Sequence, residues 1–142
     1  TKRYLIPQPR ITLGRKLHGI AHACTDISDG LVADLKHICE TSKVGAKIQI
    51  DSIPISNAAQ EAISTSAFSQ KDLLNGGDDY EQLFTSSPQR KDAVQKLSTM
   101  LELDLTMIGT ITNGSAISVL DTTGTTIDFP SGYTHNISSI KK

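Results

Sequence analysis

Tryptophan is absent from the 142-residue chain, and its three tyrosines and three phenylalanines bring the aromatic fraction to only 4%. No Lys/Arg stripe interleaves with those rings, and 14 basic against 15 acidic residues leave a formal net charge of −1. Nucleic acid needs a basic field and stacking surfaces, so no nucleic-acid partner is expected. No apolar run approaches the roughly 20 residues that span a bilayer, and no signal-peptide core is visible. No membrane partner is expected, and the cytoplasm is the default location. The two cysteines, Cys24 and Cys39, form no C-x-x-C pair. The histidines at 18, 22, 37 and 135 show no H-E-x-x-H spacing. That pattern argues against zinc and for two thiols in a reducing compartment. G-x-G-x-x-G, the P-loop motif and the nucleophile elbow are all missing, so neither a Rossmann or P-loop nucleotide site nor hydrolase chemistry has support.

What is present fits a globular chain of one domain: a hydrophobic fraction of 37%, a charged fraction of 20% and enough length for a real core. The opening "TKRYLIPQPRITLG" carries two prolines and scattered basic residues. It reads as a linker running into a strand over residues 1–16, ahead of a single domain over 17–142. Starting on such a segment, without methionine, the chain is expected to be a piece of a longer protein.

"GIAHACTDI" has the length and apolar character of a strand. In the next segment Leu31, Leu35, Ile38 and Cys39 recur at three and four, which predicts a helix with one apolar face and Asp34, Lys36, His37 and Glu40 on the wet side. Gly45 in "SKVGA" is expected to be its left-handed cap. "AKIQIDSI" alternates as a half-buried strand. "PISNAAQEAISTSA" predicts a helix entered through Pro54 and capped by Ser56, and "SQKDLLN" a second short one. "YEQLFTSS" reads as a strand, and Ser87-Pro88 starts the helix "QRKDAVQKLSTML". "LTMIGTIT" and "SAISVLD" straddle Asn113-Gly114, a strong hairpin signal. The fold class expected is α+β, with helices layered on a mixed, largely antiparallel sheet.

Two segments concentrate polar chemistry. "TDISDG" places Asp26, Ser28 and Asp29 at the mouth of the first long helix. Such residues cap helices by accepting from orphan N–H groups and by complementing the helix dipole. One cap suffices, however, and like charges this close repel unless a cation or hydrogen-bond donors separate them. A hard cation such as Mg²⁺, or an anion at the helix start, is the alternative. An EF-hand is excluded, because Gly30 comes one residue early and no acid stands at the twelfth position. In "NGGDDYEQLF", the acids Asp78, Asp79 and Glu81 follow a Gly-Gly pair; exposed turn acids are the plain reading, a cation or a positively charged ring the other. Tyr133 in "SGYTH" reads as a packing or edge residue on its own.

Taken in order, "RYLIPQPR", "DISDGLVADLKHI" with "SKVGAKI", "NGGDDYEQLFT", "MIGTIT" and "SGYTH" resemble the C-terminal domain of the thiamine-monophosphate kinase family. That domain is shared with aminoimidazole ribonucleotide synthetase, selenophosphate synthetase and a hydrogenase-maturation factor. The resemblance covers nearly the whole chain, and the "GG-acid-DYE" segment favours the kinase. It implies ATP- and Mg²⁺-dependent phosphorylation of thiamine monophosphate to thiamine diphosphate. It also implies metal-binding roles for Asp26 and Asp29, a nucleotide contact for Ser28, and substrate contacts for Asp78 and Tyr133. Asp78 stands where the family has glutamate, which shortens the carboxylate's reach by one methylene. The family's N-terminal domain, with further metal acids, nucleotide contacts and a homodimer interface, has no counterpart in this sequence, so residues 1–142 alone are expected to be inactive. Another ATP-dependent synthetase of the superfamily, or a non-catalytic binding or assembly domain, are the alternatives.

Overall fold

The computed structural model describes residues 8–65, 69 and 81–127. Its described elements run α1 (Ile11–Lys16), β1 (Ala21–Asp26), α2 (Leu31–Ser42), β2 (Gly45–Gln49), a 3-10 turn (Ile50–Ser52), α3 (Asn57–Ser64) and β3 (Gln82–Ser86). A 3-10 turn (Pro88–Arg90) then leads into α4 (Lys91–Leu101), followed by β4 (Gly109–Thr112), β5 (Ile117–Leu120) and β6 (Thr126–Ile127). The α+β class and most element positions agree with the sequence reading. The lead-in does not: residues 11–16, expected to enter a strand, are helical. Leu13 and Leu17 lie four apart, a spacing that fits one face of a strand or of a helix. Burial of both leucines with Leu97 of α4 accompanies the helical solution.

β1 and β3 form an antiparallel two-stranded sheet, with Cys24 opposite Phe84 and Asp26 opposite Gln82. Ala21 pairs with Ser86 but Ala23 with Thr85, so β1 carries one extra residue there. That bulge lets two alanines of equal parity serve different cores. Ala21 packs on the Leu13–Leu17–Leu97 cluster, and Ala23 on the larger cluster built from Leu31, Leu35, Ile38, Ala46, Ile48 and Val119. β3 divides the same way by simple alternation, Leu83 joining the large cluster and Phe84 the small one.

The second sheet has the order β4-β2-β5-β6. Here the expected hairpin fails. A turn does exist at Gly114, whose φ is +92°, but β4 and β5 do not pair. β2 lies between them, antiparallel to β4 and parallel to β5. Ala46 and Ile48 of β2 are each only 2% exposed, and a strand buried that deeply needs both of its hydrogen-bonding edges filled. The 113–116 connection therefore crosses β2, and Ala46 N–H donates to Ala116 C=O at 3.0 Å.

Gly45 is thereby reassigned. A Cβ on it would lie 2.5 Å from Ala116 O, so its bare backbone serves the crossing rather than a helix end. The left-handed cap of α2 is Lys43, with φ 56°. The tight hairpin is instead β5–β6, pairing Val119 with Ile127. Its turn is organised by Asp121, which accepts from the amides of Thr123 at 2.8 Å and Thr125 at 2.9 Å.

Candidate functional site

The loop between β1 and α2 holds three of the five candidate residues. Asp26 is exposed at the end of β1, while Ser28 and Asp29 are half-buried in the turn. Ile27 between them packs against the large core and donates its N–H to Glu81 C=O at 2.9 Å. Gly30 then starts the helix at φ 111°, ψ 149°, a conformation in which a Cβ is strained.

No side chain caps α2 at Gly30, so the expected cap from the acids and the serine is not how this helix begins. The acceptor comes from inside the helix. Asp34 Oδ2 accepts from Ser28 N–H at 2.9 Å and from Asp29 N–H at 3.1 Å. Asp34 was assigned to the wet face by its charge; it is 4% exposed. The correction has a physical basis. A carboxylate one turn into a helix lies near the positive end of the helix dipole, and two amide donors offset part of its desolvation.

Asp29, Asp34 and His37 each bring one ligand atom into a group whose atoms all lie within 4.8 Å of one another. Asp34 and His37 are three apart and so neighbours on the helix surface. Asp26 does not belong to this group. His37 was set aside for lack of a histidine motif; the signal that could have found it is the D-x-x-H spacing of residues 34 and 37 within α2. Asp26 still acts locally: the Cys24 thiol is pushed above its ordinary pKa, first by burial and then by the Asp26 carboxylate.

The second polar segment meets the first at Glu81. Its carboxylate receives both Nε and an Nη of Arg10, each at 3.0 Å, a two-pronged pair that is only partly exposed. Arg10 was not singled out from the sequence, because the two residues lie 71 positions apart. Glu81 therefore ties α1 to β3 with its side chain and holds the 26–30 loop with its carbonyl. Asp78 and Tyr133 lie outside the described residues.

The matching relatives point one way. A family pattern described as "AIR synthase related protein, C-terminal domain" matches residues 7–122. Thiamine-monophosphate kinase of Haemophilus influenzae is 37% identical over 138 residues, covering 94% of this chain and 42% of that protein. Among solved structures, thiamine-monophosphate kinase from Stenotrophomonas maltophilia superposes with a TM-score of 0.75 at 44% identity, over 82% of this chain and 37% of that one. AaThiL complexed with AMPPCP and TMP superposes with a TM-score of 0.74 at 32% identity, over 94% of this chain and 40% of that one. The chain thus spans about two fifths of the length of these relatives.

Proposed function

The chain belongs to the family of AIR synthase related proteins, C-terminal domain, and from that premise we propose that it is the C-terminal domain of a thiamine-monophosphate kinase. The reaction proposed is transfer of a phosphoryl group from ATP to thiamine monophosphate, giving thiamine diphosphate, in the cytoplasm. The observation that carries it is the Ile27 N–H to Glu81 C=O hydrogen bond. It joins the D-I-S-D-G loop to the residue that ends G-G-D-D-Y-E, so two of the segments behind the family resemblance meet at Glu81.

Phosphoryl transfer asks a protein mainly for positioning and charge neutralisation. The donor chemistry here fits Mg²⁺, because the loop offers carboxylate oxygens, the hard ligands this ion takes. In this reading Asp26 and Asp29 hold the ion, which when bound neutralises charge on the phosphate oxygens. The Ser28 hydroxyl contacts the nucleotide. The first turn of α2, whose cap uses no side chain, turns the positive end of its dipole toward the phosphates. Asp78 and Tyr133 contact thiamine monophosphate, Asp78 with the shorter reach noted above. The remaining metal acids and nucleotide contacts are assigned to a further, N-terminal domain, with the complete protein a homodimer and residues 1–142 inactive alone.

The test is a kinase assay of the full-length protein beside residues 1–142, with thermal unfolding as a binding readout. Thiamine mono- or diphosphate with Mg²⁺ is expected to stabilise the full-length protein, by about 2.7 kcal/mol at a hundred times Kd. Protection by a ribonucleotide intermediate instead would overturn the substrate, and normal turnover by residues 1–142 would overturn the division of labour.

A further inference from the structure

We infer that Asp34 is a positioning residue for the D-I-S-D-G loop: its buried carboxylate sets the backbone at Ser28 and Asp29 and thereby the loop's affinity for Mg²⁺. The inference rests on the kinase reading above and extends it to a residue that reading leaves without a role. Three observations lead to it.

Asp34 is the one buried charged residue among those described, at 4% exposure, and its neighbours Leu31, Leu35 and Ile38 belong to the large apolar cluster. A carboxylate in such surroundings is costly and would be a poor choice if helix stability were the only demand. Next, its two bonds go to the amides of Ser28 and Asp29, the two residues of the loop that carry candidate nucleotide and metal side chains. Both amides are held from one oxygen, so neither peptide plane can rotate without losing a charge-assisted bond. Last, the Asp29 carboxylate lies within 4.8 Å of Asp34 and His37. The side chain to be positioned is thus a close neighbour of the group that holds its backbone.

Fixing the ligand-bearing backbone from behind is how supporting groups raise metal affinity, and their loss typically costs about 10–100-fold in binding. Charge is not required for this task. A single amide oxygen has two lone pairs and can accept both N–H groups. Asparagine at 34 should therefore preserve the loop, whereas leucine, which branches at the same atom but accepts no hydrogen bond, should release it.

The experiment uses the full-length protein with Asp34→Asn, Asp34→Leu and, as a control for a purely structural cap, Ser56→Ala. Mg²⁺ titration of ATP-dependent turnover is expected to give a half-saturating Mg²⁺ about 10–100-fold higher in Asp34→Leu, with kcat at saturating Mg²⁺ much less affected. Asp34→Asn is expected to restore the wild-type value, and Ser56→Ala to lower Tm without moving it. Amide hydrogen exchange at Ser28 and Asp29 should speed up in Asp34→Leu alone. Should the leucine variant not fold, Asp34→Ser takes its place in the same comparison.

A Tm loss in Asp34→Leu with wild-type Mg²⁺ dependence would overturn the inference. So would an Asp34→Asn protein as defective as the leucine variant, since the charge itself would then be the ligand. If the wild-type protein does not phosphorylate thiamine monophosphate, the kinase reading falls by itself. Calorimetric Mg²⁺ binding and amide exchange then still decide the part played by Asp34.

Discussion

α2 and α3 begin in opposite ways. At α3 the exposed Ser56 hydroxyl accepts from Ala59 N–H at 3.2 Å, an ordinary cap made by a residue in the position where caps are favoured. At α2 the residue in that position is a glycine with no side chain to offer, and the acceptor is a buried aspartate four residues into the helix. The first arrangement secures a helix end and nothing more. The second spends a buried charge to fix the two residues before the helix, while the helix itself gains little from it. Where a simple hydroxyl would do and a buried carboxylate is used, the demand comes from the loop rather than from the helix.

Predictions that break or sharpen this contrast run from large to small. In the full-length protein Asp29→Asn should lower Mg²⁺-dependent turnover on the order of 100-fold, comparable to losing one preorganised transition-state contact, while the urea midpoint barely moves. A loss of stability with normal turnover would make α2 another Ser56-type cap. Gly30→Ala forces a Cβ onto φ 111° and should cost about 1–3 kcal/mol in urea denaturation. It should also shift the Mg²⁺ response, because the strain falls on the same loop. Ser56→Ala should cost about 1 kcal/mol and leave turnover at the wild-type rate.

The smallest effect is expected at Asp121, which makes the Asp34 arrangement in miniature on an exposed turn. The Thr123 hydroxyl first, and the Thr125 amide next, hold its carboxyl below the ordinary value of 3.8. A carboxyl lowered in the folded state contributes stability that is present above its unfolded pKa and is lost as pH falls through the folded one. Asp121→Asn should therefore lose a little stability at neutral pH and flatten the acid limb of a stability-versus-pH curve, its difference from the wild type shrinking as pH falls through the folded value. Urea midpoints measured from neutral pH down that limb check it; a difference from the wild type that persists undiminished at the acid end would contradict the assignment.

Much of this molecule was readable from spacing. The apolar face of α2 through Leu31, Leu35, Ile38 and Cys39, the Ser56 cap and the β3 strand after Tyr80 all depend on residues within one or two turns of each other. The candidate site was readable in part. Asp26, Ser28 and Asp29 precede the helix as read, but charge put Asp34 on the wrong side of the helix, and only the D-x-x-H spacing of residues 34 and 37 hinted that His37 joins Asp29 and Asp34. Charge ordinarily marks the solvent face, and only the fold shows that the D-I-S-D-G loop folds back over α2 to supply Asp34 with donors.

The sequence by itself determined the α+β alternation, the main helix faces and the cluster of acids before α2, because those follow from short-range periodicity and local hydrogen bonding. Tertiary structure alone decided the rest. It inserted β2 between β4 and β5, although Asn113-Gly114 asks locally for a hairpin, because a strand as buried as β2 must pair on both edges. It made Gly45 a crossing point, joined Arg10 to Glu81 across 71 residues, and buried Asp34 beneath the loop it holds. Each of these depends on which groups are left without partners once the core has closed, and that is a property of the packed chain.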